Sequence, residues 1–180
     1  MSGSAVNAFT YLIGTLIDLY VAAVLLRLLL QWVRADFYNP LSQLLIRLTD
    51  PLLVPLRRLV PAVGRIDTAA VVLMLVLEVI GIWLTGKIGS TGMEWQQIIA
   101  FSAIKLMMTL LMTYFFLIIV AVVLSWLGQG LRHPFIPLVF QLTEPVLRPI
   151  RKLIPPIAGI DLSPLFALIA IRFLILLLGW

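Results

Sequence analysis

The chain has no cysteine and a single histidine. Disulfides, thiolate metal sites, cysteine nucleophiles and thioether-attached haem are thereby excluded, and one histidine cannot supply a bis-histidine haem or a histidine-rich metal site. Charge is also scarce: 12% of residues are Asp, Glu, Lys or Arg against 62% hydrophobic, and mean hydropathy is +1.13. A chain so apolar would expose more hydrocarbon than water tolerates, which places it in a bilayer. The N-terminal residues Met1 to Ala8 carry no basic side chain, and the long apolar run after them has no small-residue cleavage site. That first segment therefore reads as a retained span rather than a secretory signal. There is no phosphate-binding glycine loop, no metalloprotease His-Glu pattern and no credible Ser-His-acid set. The expectation is a non-enzymatic protein with no cofactor, no metal and no nucleic-acid partner.

What the chain does have is a repeated phrase. Thr49 to Pro61 recurs 94 positions later as Thr143 to Pro155, and nine of the nineteen positions from Thr49 to Asp67 are identical to their partners. The register extends without a gap, matching Trp32 to Trp126, Pro40 to Pro134 and Asp67 to Asp161. The sequence is a tandem duplication.

Four apolar stretches, at about residues 8–33, 68–85, 97–127 and 162–178, are expected to cross roughly 30 Å of hydrocarbon as helices. They give two repeats, 8–85 and 97–178, each a helix pair joined by an amphipathic linker rich in Pro and Arg. The expected fold is all-α, with four transmembrane helices. Arg34, Arg47, Arg57, Arg58 and Arg65 lie in the first linker and Arg132, Arg148, Arg151 and Lys152 in the second, whereas the middle connection offers Lys87. The positive-inside bias then puts both linkers in the cytoplasm and both termini outside. Trp32 and Trp126 fall at the cytoplasmic interface, and Trp83, Trp95 and Trp180 at the other. An even number of crossings per repeat makes the two copies parallel in orientation, with their pseudo-twofold axis along the membrane normal.

Within each linker, Leu41, Leu44, Leu45 and Leu48, matched by Phe135, Leu138, Val139 and Leu142, have the spacing of one apolar helix face. Pro51 and Pro145 are expected to end these helices, since the residue before a proline is biased away from helix. A second short segment, 52–60 or 146–154, then carries Arg57 and Arg58, or Arg151 and Lys152. Two readings of these four cations stay open: topology determinants, or a binding site for anionic lipid or a protein partner. Asp67 and Asp161 stand just before the second and fourth spans, where a carboxylate caps a helix and complements its dipole. Inside the spans, Arg27 and Lys105 are near enough to the ends to snorkel. Glu78 and Arg172, 94 apart and so at equal depth, are expected to form an ion pair, with Asp18 the third member of any polar path.

The phrase Thr-[Asp/Glu]-Pro-x-Leu-x-Pro-[Leu/Ile]-Arg-[Arg/Lys]-Leu-[Val/Ile]-Pro, with Trp-x(7)-Pro before it and Ile-Asp after it, resembles the YggT family, also called YlmG, over nearly the whole chain. Asp36 to Pro40 in the first copy fits as well, while the second copy departs from it at Gln129 to Pro134. The resemblance implies an inner-membrane or thylakoid protein associated with osmotic or extracytoplasmic stress, potassium balance, cell division or cytochrome assembly. Three readings follow: a stress-tolerance protein of the plasma membrane acting through lipid or protein contacts of its basic motifs, an oligomeric ion or osmolyte transporter, and an assembly factor for a cytochrome or division complex.

Overall fold

A computed structural model describes residues 3–64, 66–89, 92–127, 133–155 and 161–179. Arg65, Arg132 and Trp180, and most of the segment where the second copy departs from the first, lie outside the described residues. Among the described residues six helices follow one another: α1 Gly3–Trp32, α2 Pro40–Arg57, α3 Thr68–Gly89, α4 Trp95–Leu127, α5 Phe135–Leu153 and α6 Ser163–Leu177. Among the described residues there is no strand; an isolated antiparallel bridge joins Val63 to Ile66 ahead of α3, with Gly64 in the left-handed region at φ 61°.

α1, α3 and α4 are long and apolar enough to cross a membrane. α6, at the expected fourth span, is apolar but only 15 residues long, or about 22 Å by helix rise. It therefore falls short of the hydrocarbon thickness by its own length. On length and composition, three helices qualify among the described residues where the sequence suggests four.

α2 and α5 overturn the expected break at proline. α2 runs through Pro51 and Pro55, and α5 through Pro145 and Pro149. An interior proline removes a hydrogen bond and costs about 3 kcal/mol, but here the helix beyond it buries Leu53 and Leu147. The prolines are spaced i, i+4, so their missing bonds fall on one face, and Pro51 and Pro55 are exposed there.

The chain packs as two compact units, Met1–Leu28 with Leu45–Met107, and Leu29–Leu44 with Met108–Trp180. In the first, Val21, Val24 and Leu25 of α1, Leu53 of α2 and Ala69, Ala70, Leu73 and Met74 of α3 form the core. A Cβ on Gly81 would come within 3.3 Å of Ile17, so the missing side chain lets α3 approach α1 closely there. In the second unit, Ser163, Ala167, Ile171 and Ile175 make one buried face of α6 at a four-residue interval, and α5, which packs on α6, buries Leu138, Val139, Leu142 and Leu147. The opposite face of α6 shows Ile169, Phe173 and Leu176, with Arg172 the one charged residue of the helix and also exposed.

The turn after α1 closes with Arg34 at φ 55°. Its amide donates to Gln31 O and that of the buried Ala35 to Leu30 O, the pattern that satisfies the last carbonyls of a helix. Next, Asn39 Oδ1 accepts the Leu41 amide at 3.0 Å and caps α2, while its Nδ2 donates to Pro134 O at 2.7 Å. His133, 94 positions on, accepts the Phe135 amide at Nδ1 at 3.2 Å, while the N-cap position of α5 is Pro134, with no side-chain cap bond.

Candidate functional site

Three charged side chains meet inside the first unit, one from each long apolar helix. Lys105 of α4 places Nζ 2.5 Å from Asp18 Oδ1 of α1 and 2.9 Å from Glu78 Oε2 of α3. The first contact is a hydrogen bond. The second is an ion pair whose angle is poor for one, and Glu78 Oε1 has no hydrogen-bond partner. Glu78 is wholly buried while half of the Asp18 side chain is exposed, so the lysine links a surface carboxylate to a core one. Glu78 is ten residues into α3, about 15 Å from its start, which is mid-membrane depth for a spanning helix.

This arrangement differs from the one the repeat register suggests. Arg172, expected beside Glu78, is exposed on α6 of the other unit, and Lys105, expected to snorkel, is the cation that neutralises Glu78. A carboxylate in hydrocarbon needs the nearest cation its packing supplies. Position 105 corresponds to Tyr11 in the first copy, so comparing the repeats could not have flagged it; the rarity of charge in that stretch could.

The basic motifs resolve into two kinds of residue. Arg57 donates from Nε to Asp67 Oδ2 at 3.0 Å, and Arg151 from Nε to Asp161 Oδ2 at 2.9 Å. The duplicated arginine and the duplicated aspartate thus clamp the end of each linker helix to the start of the next helix. The other aspartate oxygens accept amides at the helix starts, Asp67 Oδ1 from Ala70 at 3.3 Å and Asp161 Oδ1 from Ser163 at 2.9 Å, although the N-cap position of α6 itself is Leu162, which makes no side-chain cap bond. Burial pulls the Asp161 carboxyl upward, but the hydrogen bonds from Ser163 and the Arg151 guanidinium outweigh it and hold the group below the usual aspartate range. Arg58 and Lys152, by contrast, point outward and are exposed.

The two linkers also differ. Arg27, expected to snorkel, instead pairs with Asp50 at 2.7 Å and donates to Thr49 Oγ1 at 2.6 Å and to Ile46 O at 3.4 Å. It draws the Thr49 edge of α2 inward and leaves Leu48 exposed, contrary to the expected apolar stripe, while the equivalent Leu142 is buried. In the second copy Ala121 stands where Arg27 does. A cavity of about 360 Å³ lies beside it, lined by Phe140, Thr143, Glu144 and Arg151 among others. Among the described residues no group of three or more His, Asp or Glu side chains is placed to hold a metal ion.

An all-helical chain with three helices long and apolar enough to span a bilayer among its described residues has the character of a membrane protein. The chain belongs to the CCB3/YggT family, which matches residues 6–88 and 100–180. It is 43% identical over 170 residues to the protein PA0392 of Pseudomonas aeruginosa, covering 93% of this chain and 86% of that one. A protein in the proC 3′ region of Vibrio alginolyticus is 42% identical over 180 residues, with 96% and 94% covered. YggT of Escherichia coli K12 is 38% identical over 160 residues, with 88% and 82% covered. The names of these relatives state no activity. No solved structure matches the chain.

Proposed function

We propose that this is a non-enzymatic, multi-pass protein of the plasma membrane that gathers anionic phospholipid at its two repeated linkers. One observation supports this above the rest: each linker helix ends on the same exposed pair, Arg58 with Leu59 and Lys152 with Leu153, the two leucines being 79% and 83% exposed. A cation beside a bare leucine suits the headgroup boundary, the leucine entering the acyl layer and the cation meeting phosphate. Each such cation contributes about 1 kcal/mol near an anionic surface. Arg57 and Arg151 are engaged with aspartates, so the lipid contact rests on Arg58 and Lys152, and the clamp fixes where they point.

Native mass spectrometry of the protein with phosphatidylglycerol tests this. The double variant Arg58→Gln with Lys152→Gln should retain fewer anionic lipids than either single variant, with helicity unchanged. Equal retention would leave these residues only a topological role. A part in osmotic or extracytoplasmic stress tolerance rests on the family resemblance; survival of hyperosmotic shift in a deletion strain, rescued by the parent chain and less well by the double variant, is the expected outcome.

A second reading, ion translocation, draws on the Asp18, Lys105 and Glu78 triad. Ion flux into liposomes that disappears on Glu78→Gln would favour it over the lipid role.

A further inference from the structure

One of the differences between the two copies of the linker leaves a socket. In the first copy, Arg27 bonds Ile46 O, Thr49 Oγ1 and the Asp50 carboxylate. The residues 94 positions on are Phe140, Thr143 and Glu144, and all three line the cavity of about 360 Å³ beside Ala121. The threonines behave alike in the two copies, Thr49 Oγ1 donating to Leu45 O and Thr143 Oγ1 to Val139 O. Both are buried. Only the first has a cation donating to its hydroxyl.

Charge counting points the same way. Around the first site Arg27 and Arg57 balance Asp50 and Asp67. Around the second, Arg151 is, among the described residues, the one cation paired with both Glu144, at 3.2 Å, and Asp161, at 2.9 Å. Among those residues none stands where the first copy puts its Arg27 guanidinium.

We infer that this cavity takes the primary ammonium headgroup of an aminophospholipid, of the phosphatidylethanolamine type, in the position that Arg27 occupies in the first copy. An ammonium brings three donors for the Thr143 hydroxyl, the Phe140 carbonyl and the Glu144 carboxylate. The phosphate that follows it in such a lipid meets the outer edge of the Arg151 guanidinium. Lipid is favoured over a soluble amine by the rest of the wall: Trp126, next to the last residue of α4, and Val122, Phe140 and Pro164 line the same space. Ala121 is six residues from the end of α4, about 9 Å by rise, the depth of headgroup and upper acyl chain. The volume lies within the range of small-molecule sites. The site is separate from the exposed Arg58 and Lys152 and does not depend on their lipid contacts.

The experiment measures retention of phosphatidylethanolamine, phosphatidylcholine and phosphatidylglycerol by the full chain in native mass spectrometry. Phosphatidylethanolamine should be preferred over phosphatidylcholine, whose quaternary ammonium has no N–H to donate. Glu144→Gln should weaken that preference on the order of tenfold, as expected for loss of a charge-assisted hydrogen bond. Ala121→Arg should remove it by filling the socket with the chain's own guanidinium, leave phosphatidylglycerol retention unchanged, and melt no lower than the parent. Should Ala121→Arg fail to fold, Glu144→Gln and the headgroup comparison still decide. Equal retention of the ethanolamine and choline lipids, or retention indifferent to both variants, overturns the inference. So does capture of a polypeptide by the parent chain that Ala121→Arg abolishes without any headgroup preference, because a partner's Lys or Arg would then fill the socket.

Discussion

Glu78 sits with no exposure at all, and among the described residues it forms an ion pair with Lys105 at 2.9 Å. Removing a single partner of a buried pair strands a charge and costs about 3–5 kcal/mol, whereas removing both is often close to neutral. Lys105→Met is therefore expected to lower the melting temperature in detergent more than Glu78→Gln, since it strands Glu78 and also deprives Asp18 of its partner. The double variant should recover much of the loss, and Glu78→Gln with Arg172→Met should be additive. A cycle in which Glu78 and Lys105 are additive would show that the two are not coupled. At Asp161 the folded carboxyl lies below its usual value. By linkage its contribution is fully present above the ordinary aspartate pKa, about 3.9, and is lost as pH falls through the lower, folded value. Asp161→Asn should lower stability at neutral pH, where the contribution is present, and leave the acid end, where the parent has already lost it, little changed, so that the acid limb of the stability curve flattens.

A ten-residue loop closed by an arginine and an aspartate secures each linker helix to the next helix, but the two clamps are not equally buried. The Asp67 side chain is 4% exposed and that of Asp161 34%. Hydrogen bonds to charged groups are worth about 1.5–3 kcal/mol when partly buried, whereas exposed pairs contribute at most about 1 kcal/mol. Asp67→Asn should thus destabilise by about 2 kcal/mol and Asp161→Asn by less than half of that, as read from thermal melts at neutral pH. Equal losses would mean that the clamps depend on the hydrogen bonds to first-turn amides and not on burial. The prolines act at this scale too. Pro51 with Pro55 and Pro145 with Pro149 remove donors from one face of each helix, and an unpaired face bends a helix.

For the molecule as a whole, nine basic residues in two linkers stand against Lys87 in the middle connection. Cytoplasmic linkers and external termini are the arrangement that the positive-inside bias leads one to expect. Single cysteines introduced at Ser4, Ser90, Ser42 and Gln141 should label from outside at the first two and from inside at the last two. This experiment also decides the role of α6: external labelling at Ser4 with a C-terminal tag inside would mean three crossings, and a tag outside would mean four, the short helix spanning with its flanking residues.

Composition and the 94-residue repeat were enough to establish an apolar, helical, duplicated chain, because hydrophobicity and self-similarity are properties of the sequence itself. They also marked Asp67 and Asp161 as helix starts, since a cap acts within three residues. The pairing of charges was not legible in the same way. The register paired Glu78 with Arg172 by depth, but a buried carboxylate is neutralised by the cation its packing brings within about 3 Å, and that was Lys105. Likewise the phrase displayed four cations as one class. Only the fold separated Arg57 and Arg151, turned onto aspartates ten residues away, from Arg58 and Lys152, left outside. Even the socket beside Ala121 was present in the alignment of the two halves as an arginine facing an alanine. It took the three-dimensional neighbours of Arg27 to show that the alanine leaves a space lined by polar groups, because which groups surround a side chain is a matter of helix packing and not of spacing along the chain.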